Sequence, residues 1–288
     1  MEPCNILKII TPKKIQLHGL WLGPAKPRRV LVFVHGLGGS AFDTWLAEHW
    51  VDTQTAVVTF SNRGHDKVAK IRQLDNTKKG YHSVLGGVSH EVFEDCVDDI
   101  AGVVESVRKM GVKEIYLAGH STGCQKSVYY ASKKKDTVVK GLILLAPISD
   151  YAGAIKFYDK KILAKAIKAA MALVAKGAPH ELLPSAVWPD RMDAQRFLSL
   201  YTPDSVEEVF SYAQPKKNPR VLKSVLLPIL SIFAEEDEYA DRPAEEIKNW
   251  FAQSAKSVKL ETVIVPNALH GFQGKEKAVA EAIKLWIK

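Results

Sequence analysis

The chain has 288 residues, of which 47% are hydrophobic and 25% charged, enough for one large globular domain or for a core with an insertion. No apolar run approaches the ~20 residues that a bilayer-spanning helix needs, so we expect no stable membrane insertion. The net charge of +8 comes from lysines spread along the chain in small groups, which favours a solvated surface and no nucleic-acid partner.

The amino terminus and the cysteines favour a reduced compartment. The first residues carry Glu2 and only a short apolar patch before Lys13, unlike a secretory signal. Cys4, Cys96 and Cys124 cannot all pair with one another and do not form a metal-binding pattern. We therefore expect a cytoplasmic protein without a bound metal.

Short apolar runs that alternate with helical patterns recur along the chain. Eight of them are strand candidates, at residues 6–10, 14–20, 29–35, 55–60, 114–119, 141–147, 227–234 and 260–266. The middle runs are nearly continuous in Val, Ile and Leu, which is typical of parallel strands buried on both faces. The clearest helical pattern covers 90–110. The sequence thus predicts an α/β fold with a mostly parallel, eight-stranded sheet flanked by helices.

Residues 151–215 interrupt this alternation. They contain no good strand but carry one long helical pattern at 154–176, with apolar residues on one face and lysines on the other. Prolines punctuate the rest, and Trp188, Phe197 and Phe210 are candidate pocket walls. We expect residues 1–150 and 216–288 to form the core, and 151–215 to be a helical insertion that covers one end of the sheet as a cap or lid.

The stretch GHSTG, residues 119–123, lies directly after a strand candidate and directly before a helical run. A strand that turns sharply into a helix forces the residue at the bend into strained dihedrals, and small residues on both sides make room for it. The hydroxyl of Ser121 would then be exposed at the end of the sheet, beside amides at a helix start. This context predicts a nucleophilic serine, whereas the five-residue pattern alone would also fit a glycine-rich turn.

A serine nucleophile needs a base that a third group orients. His270, in a loop between the last strand candidate and the final helix, is the best base. The acid is expected between serine and histidine in chain order, after a late strand, and Asp237 fits this position. Its rivals are Asp150 and three neighbours in the same acidic loop, Glu235, Glu236 and Glu238.

The glycine-rich segment VFVHGLGGS, residues 32–40, follows the third strand candidate. Its glycines allow a tight turn whose backbone N–H groups face the nucleophile. We expect the amides of Leu37 and Thr122 to form an oxyanion hole. The segment lacks both G-x-G-x-x-G and a GK[ST] ending, which disfavours nucleotide binding.

Four motifs fall in the order expected of the α/β-hydrolase superfamily: HGLGG, GHSTG, EEDEYAD and NALHGF. The resemblance covers nearly the whole chain and implies the α/β-hydrolase fold and a serine esterase. Five further segments are similar to the group that includes fungal siderophore esterases: SNRGHD (61–66), SHEVFEDCVDDI (89–100), GHSTGCQ (119–125), APISD (146–150) and RFLSLYTPDSVEEVFSY (196–212). The match is looser in the insertion, which usually forms the pocket, so the resemblance implies the fold but not the substrate.

The sequence therefore predicts a carboxylesterase-like serine hydrolase with the triad Ser121, Asp237 and His270 and no cofactor. Its partner would be a small-molecule ester, and the chain would be a monomer or a homodimer. The same groups also support amide, thioester or carbon–carbon hydrolysis and lyase chemistry. An alternative from another class is a small-molecule receptor of the same fold with slow or no turnover.

Overall fold

The apolar runs of the chain form the strands of one sheet. In the computed structural model, which describes residues 4–288, the strands are β1 Cys4–Ile10, β2 Ile15–Leu22, β3 Arg29–Val34, β4 Thr55–Phe60, β5 Ala69–Leu74, β6 Tyr81–Gly86, β7 Glu114–His120, β8 Val139–Leu145, β9 Ile229–Ala234 and β10 Leu260–Val265. All eight strand candidates are strands. The sheet has ten strands rather than the eight predicted, and the two additional strands are β5 and β6.

The sheet runs in the order β10-β9-β8-β7-β3-β4-β2-β5-β6, and β1 pairs with β2. All pairings from β4 through β3, β7, β8 and β9 to β10 are parallel. The pairings of β2 with β1 and β4, and of β5 with β2 and β6, are antiparallel. The carboxyl ends of the parallel strands therefore meet at one edge, where ligands bind in open α/β sheets.

The helices cover both faces of this sheet. They are α1 Cys96–Lys109, α2 Thr122–Lys133, α3 Asp150–Phe157, α4 Lys160–Ala175, α5 Ala194–Tyr201, α6 Arg220–Ser224, α7 Ala244–Ser254 and α8 Glu276–Trp286, with short 3-10 helices at Ala47–Trp50 and Phe93–Asp95. Alternate residues of β3 reach opposite faces: Val32 packs into the cluster under α1, α2 and α7, and Phe33 into the cluster under α8. Among residues 4–288, no helix combines the length and apolarity that crossing a bilayer requires.

The chain between β8 and β9 carries helices and a third apolar cluster of its own. Leu163 and Ala170 of α4 pack there with Trp188 and with Phe197 of α5. The long helical pattern at 154–176 is two helices rather than one, because Asp159 caps α4 by accepting hydrogen bonds from the amides of Lys161 and Ile162.

Candidate active site

Ser121 lies at the bend between β7 and α2. Its backbone has φ 54° and ψ −126°, a left-handed conformation that a residue with a side chain rarely adopts. The bend is fixed by a hydrogen bond of 3.0 Å from the Ser121 amide to the carbonyl oxygen of Leu145, the last residue of β8. A sharp strand-to-helix turn of this kind presents the serine side chain at the edge of the sheet.

The glycines around Ser121 are needed because backbones pack against backbones there. A Cβ atom on Gly119 would overlap the carbonyl oxygen of Gly123, and one on Gly123 would overlap the carbonyl oxygen of Val34. A Cβ atom on Gly36, in the loop after β3, would lie 3.0 Å from the Cβ of Ser121. The spacing of the motif therefore reflects direct contact between β3, β7 and the first turn of α2.

His270 and Asp237 meet although 33 residues separate them along the chain. The Nδ1 atom of His270 is 2.8 Å from the Oδ2 atom of Asp237, and both side chains are less than a tenth exposed. Since a carboxylate only accepts hydrogen bonds, Nδ1 donates. The other ring nitrogen, Nε2, makes no hydrogen bond within residues 4–288 and is free to accept a proton.

The rival carboxylates of the acidic loop have other partners. Glu238 accepts a hydrogen bond of 2.8 Å from the backbone amide of His270, and Glu235 accepts one of 2.8 Å from the amide of Asn267. Glu236 donates its own amide to the carbonyl oxygen of Ala268. These residues hydrogen-bond to the backbone of the histidine loop. Within residues 4–288, only Asp237 hydrogen-bonds to a ring nitrogen of His270.

Ser121 and His270 line one cavity of about 630 Å³ at the carboxyl edge of the sheet. No hydrogen bond joins Ser121 to His270 in the described part of the chain. Leu37 lines the same cavity, and Thr122 is the first residue of α2. The backbone amides of Leu37 and Thr122 have no hydrogen-bond partner among the described residues, so both are free to bind an oxygen.

Three further side chains hold the histidine loop. The ring of His120 contacts the carbonyl oxygen of His270 at 2.9 Å, and burial together with the neighbouring His270 lowers the pKa of His120 to about 4. Trp45 donates from Nε1 to the carbonyl oxygen of Gly271 at 2.8 Å, and Tyr239 packs edge-on to the ring of His270. Trp45 was missed because it belongs to no motif, and Tyr239 because the motif EEDEYAD does not show which of its side chains packs against the ring.

The cavity lining is acidic and aromatic. Four carboxylates and no lysine or arginine line it: Asp43, Asp150, Asp190 and Glu238. Asp150 accepts a hydrogen bond of 2.9 Å from Gln125, and burial raises the pKa of Asp150 to about 8. Asp190 has no hydrogen bond or ion pair with another residue of 4–288.

The aromatic walls differ from those expected. Trp188, Phe197 and Phe210 are fully buried and do not line the cavity. The lining aromatics are instead Trp45, Phe157, Tyr158, Tyr201 and Tyr239. Within residues 4–288, no group of three or more His, Cys, Asp or Glu side chains is arranged to hold a metal ion.

Solved structures with a similar fold include hydrolases. The siderophore hydrolase EstB from Aspergillus fumigatus has a TM-score of 0.67 at 18% identity, covering 98% of this chain and 97% of its own. Est1E from Butyrivibrio proteoclasticus, solved with ferulic acid, has a TM-score of 0.64 at 17% identity, covering 98% of both chains. The esterase Pf2001 from Pyrococcus furiosus has a TM-score of 0.60 at 18% identity, covering 100% of this chain and 92% of its own.

These similarities confirm the predicted α/β-hydrolase fold. They also confirm the predicted resemblance to a siderophore hydrolase. No curated protein matches the chain by sequence. Residues 78–288 match a family model described as "Protein of unknown function (DUF1749)". Because the match covers more than half of the sequence, the chain belongs to this family.

Proposed function

We propose that this member of the DUF1749 family is a serine hydrolase that cleaves carboxylic esters through an acyl-enzyme. The observation that carries the proposal is the pair of His270 and Asp237, 2.8 Å apart, in the cavity that Ser121 also lines. An oriented imidazole that shares a cavity with a serine is the arrangement that activates this weak nucleophile.

In the proposed reaction, Nε2 of His270 takes the proton of Ser121 as the serine oxygen bonds to the ester carbonyl carbon. The carbonyl electron pair moves to oxygen, and the free amides of Leu37 and Thr122 bind this oxyanion. Collapse of the intermediate expels the alcohol, which receives the proton from His270. A water molecule then attacks the acyl-enzyme by the same route and releases the acid. Asp237 keeps the ring in the required tautomer and stabilises the imidazolium.

Residues 151–215 form the proposed cap that sets substrate preference. Ala154 and Phe157 of α3, Tyr158 directly after it, and Tyr201 at the end of α5 line the cavity that Ser121 and His270 also line. Closing an active site with such side chains excludes water and orients the substrate.

The charge of the lining restricts the proposed substrates to neutral or cationic esters. Asp190 has no neutralising partner in the described chain, and no lining lysine or arginine offers a site for an anionic acyl or alcohol group. An anionic ester would meet like charge in a partly enclosed cavity, where electrostatic interactions are stronger than in water.

A fluorophosphonate probe tests the activated serine directly. We expect rapid labelling of the wild type, none of Ser121→Ala, and unchanged labelling of the control Ser132→Ala, which lies near the other end of α2. Turnover is then measured on p-nitrophenyl esters of short and long acids. Methyl ferulate and a hydroxamate siderophore ester extend the panel, since the similar structures include a ferulic-acid complex and a siderophore hydrolase.

The outcomes separate the alternatives. If the wild type is not labelled, the serine is not activated and a receptor of the same fold becomes the better description. If the serine is labelled but every ester remains intact, the bond that is cleaved is an amide, a thioester or a carbon–carbon bond.

A further inference from the structure

The exposed surface of α4 is basic. Five exposed lysines lie on this 16-residue helix or directly after it: Lys160, Lys161, Lys165, Lys168 and Lys176. The helix itself contains no Asp or Glu. None of these lysines forms an ion pair with another described residue, so their charge is not neutralised within the protein.

The helical period separates these lysines from the residues that anchor α4. Only Leu163, Ala166 and Ala170 of the helix are buried, and they pack on the apolar cluster of the segment. At 3.6 residues per turn, Lys161, Lys165 and Lys168 project from the opposite side, and Lys160 and Lys176 lie on its flanks. Between them lie alanines and Met171, which is 59% exposed.

Apolar side chains border the lysines. Ile162 is 49% exposed, and Phe157, at the end of α3, is 53% exposed. Phe157 also lines the cavity of Ser121 and precedes Lys160 by only three residues, so the amino end of the lysine surface lies close to this cavity. A polyanion such as nucleic acid would use the lysines alone, whereas a lipid surface binds both the ammonium groups and the exposed apolar side chains.

We propose that this lysine surface of α4 docks the protein on an anionic lipid bilayer, with the cavity mouth near the lipid. Four to eight lysines on one amphipathic helix attract anionic headgroups, and each adds to the binding. The contact is peripheral and does not depend on the activity proposed for Ser121, so the two proposals can fail separately.

The test is flotation of the full chain with vesicles of phosphatidylcholine alone or mixed with phosphatidylglycerol. The variant Lys165→Glu/Lys168→Glu reverses two charges of α4. The matched control Lys134→Glu/Lys135→Glu makes the same change to the net charge at two exposed, unpaired lysines of the described chain. These follow α2, about 18 Å along that helix from Ser121.

We expect the wild type and the control to float with the phosphatidylglycerol vesicles only, and less at higher salt. The α4 variant should lose binding by at least about tenfold, since each lysine near the surface contributes. Equal loss in both variants would mean that only net charge matters and would overturn the proposal. So would failure of the wild type to float, or wild-type binding to a single-stranded oligonucleotide that the α4 variant loses while no vesicle is bound.

Discussion

The edge of the sheet around Ser121 and the helical segment between β8 and β9 are held by different forces. Around Ser121, Gly119 and Gly123 bring backbone against backbone, and no side chain fits between. The helical segment is held by side chains, in an apolar cluster that includes Trp188 and Phe197. The edge of the sheet around Ser121 is thus fixed by close contacts between backbone segments, and the helical segment by the packing of side chains.

Buried charges join the two regions. Arg196 of α5 is fully buried, 3.0 Å from Glu91 of the core, and it also pairs with Glu207. On the other side, Glu91 pairs with Lys126 of α2, the helix that follows Ser121. Burial alone would raise the pKa of Glu91, but Lys126 and Arg196 lower it to about 2. The position of α5 is therefore tied to the helix that begins at Ser121.

The largest effect is expected at the edge of the sheet around Ser121. Asp237→Asn should lower kcat by about 10⁴-fold, because an amide no longer holds the required tautomer of His270. Glu238→Gln, which changes the carboxylate that binds the backbone of the same loop, should cost less than about tenfold. Steady-state kinetics on one ester gives both values. Comparable losses in the two variants would mean that Asp237 acts on loop shape rather than on the ring.

The next effect concerns the link between the regions. Arg196→Met should lower the free energy of unfolding by about 3–5 kcal/mol, since it leaves the buried carboxylate of Glu207 without a cationic partner and removes one of the two cations beside Glu91. Adding Glu207→Gln should recover part of this loss, because one unpaired charge is removed. Urea denaturation followed by tryptophan fluorescence measures both. A loss below about 1 kcal/mol in the single variant would show that α5 is not held by this pair.

The difference between the edge around Ser121 and the helical segment also explains which features can be predicted from the sequence. Ser121 and its flanking glycines are recognisable because the required conformation is local, and the eight apolar runs are recognisable because they are buried on both faces. By contrast, β5 and β6 pair antiparallel and expose several of their side chains. In β5 the exposed Lys70 and Arg72 alternate with the buried Ala69 and Ile71, so neither strand contains a continuous apolar run. The cavity walls depend on which side chains of the segment reach the cavity. Trp188 is buried within the cluster, whereas Tyr158 packs against Trp188 and also lines the cavity.

A smaller effect should distinguish substrates by charge. Butyrylthiocholine and 3,3-dimethylbutyl thiobutyrate have nearly the same shape, and only the first is cationic. We expect kcat/KM for the cation to exceed that for its neutral isostere by about tenfold, as one carboxylate partner in a partly enclosed site would give. Asp190→Asn should reduce the ratio, and Asp204→Asn, outside this cavity, should not. A ratio near one in the wild type would contradict the proposed preference.

The pH dependence of this ratio follows from Asp150. Its pKa is raised to about 8, so its carboxyl is protonated below that pH and ionised above it. The preference for the cation should therefore increase as pH rises through about 8, while the neutral isostere shows no such change. In Asp150→Asn the increase should disappear. A ratio that stays constant across this range would exclude Asp150 from substrate binding.

The smallest expected effect is a difference in local opening. The chain between α4 and α5 contains no regular helix or strand, and its Lys176 and Arg191 are exposed. Both peptide bonds are therefore accessible to trypsin. Limited trypsin digestion should cut there before it cuts the core, giving two fragments that remain associated. Mass spectrometry of the early products identifies the sites. Early cleavage confined to the termini would argue against a cap that opens.

The left-handed backbone at residue 121 also has a consequence for heat resistance. A side chain in such a conformation costs about 1–3 kcal/mol, which glycine avoids. Even after allowing for the greater freedom of glycine in the denatured chain, Ser121→Gly should raise the melting temperature by about 2–4 °C. The inactive variant would thus unfold at a higher temperature than the wild type. The serine that we propose as the nucleophile would then be one of the residues that lower the thermal stability of the protein.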